Sequence, residues 1–255
     1  MTPATSRAGN RPEQDQTIGV LNESSLHAAL KEWCALPGDA FEVNVGQFVV
    51  DIVRGDTLIE IQTSHFGSIR DKLRKLAQDH QVLVVYPIAQ EKYLVYIDSA
   101  TDEVVRCRKS PKKGQMTDLF DELVRVPTLI WEKNLSLQVV LTREEELRHA
   151  DEKIRGRRRR AKVIDRKLIE VLGQAQFHEA RDFLKLLPEG MERPFTNQTL
   201  ARRMGISIHI ARKMTYSLRK LKLVAQVGKE GRSFLFDTIP DIPVNRPERT
   251  RNDGS

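Results

Sequence analysis

At 255 residues with 40% hydrophobic side chains, the chain can build one large domain or two modest ones, and no apolar run approaches a membrane span. The net charge of +7 is unevenly divided: residues 1–150 carry 18 Lys and Arg against 22 Asp and Glu, residues 151–255 carry 24 against 13. Two cysteines outside any Cys-x-x-Cys pair exclude a disulfide framework, six scattered histidines lack zinc-ligand spacing, and no Walker A or dinucleotide glycine pattern occurs.

The first ten residues lack the apolar core of a secretion signal, which predicts a cytoplasmic protein. Residues 1–17 and 239–255 are aperiodic and polar and read as disordered tails. Asn22 can cap a helix with Leu26, Leu30 and Trp33 on one face, ending near Pro37-Gly38. Strands are predicted at 40–45, 47–53 and 57–63. Ser68 to Asp79 reads as a helix, with Ile69, Leu73 and Leu76 inward and Arg70, Lys72, Arg74 and Lys75 exposed. The apolar run 81–86 suits a central strand covered on both faces. Further strands are expected at 92–97, 103–107 and 136–141, with a short helix from Thr117 to Val124. The first 150 residues therefore predict a mixed α/β sheet domain.

Within it, Asp51-Ile-Val-Arg-Gly55-Asp56-Thr-Leu-Ile-Glu60 forms a hairpin pattern, Gly55-Asp56 suiting a type II′ turn. That turn sets Arg54 opposite Thr57, Val53 opposite Leu58, Ile52 opposite Ile59, and Asp51 opposite Glu60. Two carboxylates facing each other among Val, Ile and Leu repel, and buried unpaired charge is costly. A divalent cation between them would turn both penalties into a site. Without the metal, Asp51→Asn is then expected to be neutral or stabilising. The loop 106–114 holds Lys109, Lys112 and Lys113, which suit either a phosphate backbone or plain solvation. His65, three residues after Gln62, either touches the Asp51–Glu60 site or simply ends the strand.

These elements resemble the PD-(D/E)XK nuclease superfamily. A helix bearing Glu23, then Asp51 on one strand, Glu60-Ile61-Gln62 on the next, a basic helix and a strand, is most similar to Holliday-junction-resolvase-like members. The resemblance spans about residues 18–100 and implies a restriction-endonuclease-like sheet. It implies Asp51, Glu60 and the Ile61 carbonyl as ligands of Mg²⁺ or Mn²⁺, with Glu23 supplying a further carboxylate and Gln62 where Lys is usual. Lys72 or Arg70 on the following helix could reach inward to replace that Lys.

A basic linker, residues 151–162 with Arg157, Arg158, Arg159 and Arg160, leads to a second domain at 163–238. Segments 164–173 and 179–187 read as short amphipathic helices. A capped helix from Thr196 to Met204, a Gly205-Ile-Ser207 turn, a helix from Ile208 to Leu221 and a strand–turn–strand to Phe236 resemble a winged helix-turn-helix. In it Leu200, Met204, Ile210, Met214, Leu218 and Leu221 point inward. Arg212, Lys213, Tyr216, Arg219 and, on the wing, Arg232 are the candidate DNA contacts. The prediction is a metal-dependent DNA endonuclease or resolvase targeted by a winged helix. The alternative is a DNA-binding regulator that keeps only the nuclease fold. DNA is the expected partner, no membrane is expected, and a homodimer stays open.

Overall fold

Ser24 caps the first helix, α1 (Ser25–Cys34), by accepting the His27 N–H at 3.3 Å. Leu26 and Leu30, one turn apart, are fully buried, but Trp33 is 40% exposed. The last turn of α1 meets polar atoms instead: Arg54 donates to the Cys34 carbonyl at 2.6 Å and is paired with Asp39. The computed structural model describes residues 24–150 and 162–240, so both predicted tails, and the linker up to residue 161, lie outside the described residues.

Strands β1 (Ala40–Val45), β2 (Phe48–Arg54) and β3 (Thr57–Ile61) form an antiparallel meander. Gly55 takes φ +54° at the second turn, and the pairs Arg54–Thr57, Val53–Leu58 and Ile52–Ile59 form as the turn requires. The ladder stops at Ile52, one residue before Asp51 and Glu60 would face each other. Helix α2 (Phe66–Asp79) then crosses over to β4 (Gln81–Ile97), which runs parallel to β3. The two strands expected at 81–86 and 92–97 are thus one long strand. Pro87 interrupts nothing there, because β3 pairs with β4 only as far as Val85 and the missing N–H costs no ladder bond on that side.

Strand β5 (Val104–Lys109) pairs with the far half of β4, followed by a 3₁₀ turn (Met116–Leu119) and α3 (Phe120–Leu123). Strand β6 (Leu135–His149) runs parallel to β4 along its whole length. Residues Val163–Phe177, expected to begin a second domain with a helix, are instead strand β7, antiparallel to β6. The sheet order is β1-β2-β3-β4-β6-β7 with β5 added on β4. It is a mixed α/β sheet domain that extends past the predicted boundary at 162. Ile52, Ile59, Ile61, Val85 and Val140 pack against α1; Val50, Leu58, Val82, Val84, Leu137 and Val139 face the larger core with α2 and α3.

Residues Ala180–Leu186 form a short helix where one was expected, wound as a 3₁₀ helix. Two helices follow, α4 (Asn197–Met204), capped by Thr196, and α5 (Ile208–Lys220), capped by Ser207. Gly205 between them takes φ +64°. The hairpin β8 (Val224–Glu230) and β9 (Ser233–Thr238) completes the described chain. Leu200, Met214, Leu218 and Leu221 are buried as expected, while Met204 and Ile210 are only half-buried.

Candidate metal and nucleic-acid site

Beyond Ile52 the strands β2 and β3 part, and the Asp51 side chain takes over from its backbone. One carboxylate oxygen accepts the Ile61 N–H at 2.7 Å and lies 3.3 Å from His27 Nε2 on α1. Burial raises the Asp51 pKa, but His27 and the Ile61 N–H outweigh it and leave the carboxyl below its ordinary value. Glu60 is buried, and only Lys72 of α2 compensates it closely. The ammonium donates to the Val49 carbonyl at 2.6 Å and forms a close ion pair with Glu60, 2.6 Å from Oε1. Burial prevails over this pairing and pushes Glu60 up to about 7. Lys72, on a helix face expected to be exposed, reaches inward, and it is one of the two side chains expected to be able to do so.

Gln62 behaves differently from its expected role. Its amide donates to the His65 carbonyl at 2.7 Å and to Ser68 Oγ at 3.3 Å, so it braces the start of α2. His65 turns to Glu122, with Nδ1 2.9 Å from Glu122 Oε1. Glu23 lies outside the described residues; the helix meant to carry it contributes His27, one turn further on, which sequence reasoning missed. Among the described residues no cluster of three or more His, Cys, Asp or Glu forms a metal cage. The donors that fit a hard divalent cation are Asp51, Glu60 and a backbone carbonyl, and magnesium retains several waters in such sites.

The cations predicted for phosphate contact divide into two groups. Lys109 is in β5 rather than a loop, 2.9 Å from Glu91, whose carboxyl Lys109 and Arg143 hold down to about 2. Lys213 pairs with Asp121 at 2.8 Å and is turned towards α3. Both are already neutralised. By contrast Lys112, Lys113, Arg212, Arg219 and Arg232 are exposed, as is the uncharged candidate Tyr216, and Arg219 also lies over the Phe236 ring. Arg157 to Arg160 lie outside the described residues. Arg212 and Arg232 come together on one groove between α4, α5 and the hairpin.

The family described as "Domain of unknown function (DUF8091)" matches residues 24–178. The chain belongs to this family. Its match ends one residue past β7, so the DUF8091 part coincides with the sheet and its helices and contains Asp51, Glu60 and Lys72. A protein of Treponema pallidum (strain Nichols) carrying the description "Uncharacterized protein" is 32% identical over 225 residues, 88% of each chain. An alignment of that length necessarily continues past the DUF8091 match into the C-terminal helices. No solved structure matches the chain. No described helix is long and apolar enough to cross a membrane.

Proposed function

We propose that the chain is a metal-dependent phosphodiesterase acting on DNA, with a restriction-endonuclease-like sheet and a C-terminal winged helix that delivers it. The observation that carries this reading is Lys72 lying against Glu60 beside Asp51. Gln62 cannot supply positive charge, and α2 supplies it instead, so that two carboxyl groups and an ammonium meet, a set able to hold a cation and stabilise charge developing on a phosphodiester. Bound through Asp51, Glu60 and the Ile61 carbonyl, Mg²⁺ or Mn²⁺ would polarise the phosphodiester and acidify a water. Asp51 enters already ionised and oriented by the Ile61 N–H and His27. Glu60, held near neutrality by burial, would join Asp51 in holding the cation as a carboxylate, its proton passing to solvent. Lys72, which lies against Glu60, is the side chain that would place a positive charge beside a non-bridging phosphate oxygen.

Incubation of the full chain with supercoiled, branched and single-stranded DNA, with Mn²⁺ or with chelator, tests this. Cleavage should require the metal, and Asp51→Asn and Lys72→Met should each abolish it while DNA binding persists. Absence of metal-dependent cleavage on every substrate would overturn the catalytic reading. A second reading has its own support: Lys72 and His27 already compensate both carboxylates, so the fold stands without metal. Binding without cleavage in the same assay identifies a DNA-binding protein that keeps only the nuclease fold.

A further inference from the structure

The hairpin turn places Arg232 at its tip and Phe234 two residues on, opposite Lys229. Phe234 is 44% exposed, although a phenylalanine gains from burial. It lines a groove of about 840 Å³ with Gln198 and Arg202 of α4, Ile208 and Arg212 of α5, and Arg232. No acidic residue lines it, and three guanidiniums converge on it from three different elements. Lys229 Nζ lies over one face of the ring, 5.1 Å from its centroid, adding a fourth cation, so that a stacking base would take the opposite face.

A convex helix face reads the edges of stacked bases, but a groove with an open aromatic ring offers a platform for a base's flat face. Unpaired nucleotides combine exactly these demands: phosphates for arginine and a ring to stack. Gln198 adds a neutral donor and acceptor for a base edge. Pockets of roughly 300–1,000 Å³ are the usual size for bound small organic groups, and the groove falls within that range.

We propose that this groove binds unpaired nucleotides, with a base stacked on Phe234 and the backbone held by Arg202, Arg212 and Arg232, so that DNA with a single-stranded segment is the preferred substrate over continuous duplex. This rests on the reading of the chain as a DNA-binding protein and names its substrate class. The test is fluorescence anisotropy of the full chain, with chelator, on a blunt duplex and on the same duplex carrying an oligo-dT overhang. Wild type should favour the overhang, and Phe234→Ala should weaken overhang binding by roughly ten- to a hundredfold while leaving the blunt duplex unchanged. Phe234→Trp should restore it. A 2-aminopurine in the overhang should be quenched by wild type and by Phe234→Trp but not by Phe234→Ala. Duplex binding with no preference for the overhang, or equal losses on both ligands, overturns the groove assignment alone. Failure to bind either DNA overturns the DNA-binding reading and the groove with it.

Discussion

Glu60 is the residue whose chemistry the fold alters most. Its carboxyl rises from an ordinary value of 4.5 to about 7, so between those values the folded chain holds a proton that the unfolded chain has released. Stability should therefore fall as pH rises through that window and level off above it. In chelated protein, Glu60→Gln should flatten this slope in urea titrations; an unchanged slope would place its origin elsewhere. Lys72→Met strands the buried carboxylate and should cost about 3–5 kcal/mol above neutrality, and much less at about pH 5, where Glu60 is protonated. Asp51 reverses an expectation. Repulsion alone made Asp51→Asn neutral or stabilising, but the ionised form is the one favoured by His27 and the Ile61 N–H. In metal-free protein the substitution should cost about 1–3 kcal/mol, measured by the same denaturation. The hairpin register was legible because a Gly-Asp turn determines it. Lys72 of the following helix was already a candidate for that site, but His27 was not legible, since it reaches Asp51 from a separate helix.

The elements show why one strand could be mistaken for a helix. Strand β7 carries extra residues at Ile164, Ile169 and Leu172, where its register against β6 slips. Each bulge resets the two-residue alternation, and the apolar positions then fall at spacings that mimic a helical stripe. The same bulges bend and blunt this long edge strand, a recognised protection against edge-to-edge pairing. On β4 the gap left beyond the end of β3 is closed by the loop after β5. Gly114 donates to the Ala89 carbonyl at 3.0 Å, and a Cβ at Gly114 would stand 2.4 Å from that oxygen. Because the neighbour is backbone, it cannot swing aside. Gly114→Ala should cost about 1–3 kcal/mol and loosen the Lys112–Lys113 loop, which faster hydrogen exchange of the amide at position 114 would report. Local pattern found most of these elements, while their partners depend on contacts far apart in sequence.

At the scale of the whole molecule, charge suggested two halves but the apolar core joins them. Phe183, fully buried, stacks on Phe177 of β7 with ring centroids 4.5 Å apart and meets Phe120 of α3 edge-on at 6.5 Å. Helix α5 packs against α3, and Lys213 reaches Asp121 across the same junction. One continuous cluster runs from Val50 in β2 to Phe236 in β9. A cut at residue 150 would remove β7 and bare the outer edge of β6, so a chain ending there should not unfold cooperatively. A fragment beginning at 160 would carry β7 without its partner. If the core acts as one unit, the full chain should unfold in a single transition followed equally by sheet and helix signals. Phe183→Ala should then lower the stability of the whole chain by about 3–5 kcal/mol without splitting that transition. Two separated transitions in calorimetry, with the substitution shifting only one, would show instead that the C-terminal helices and hairpin fold independently of the sheet. In that case they could move relative to Asp51, Glu60 and Lys72.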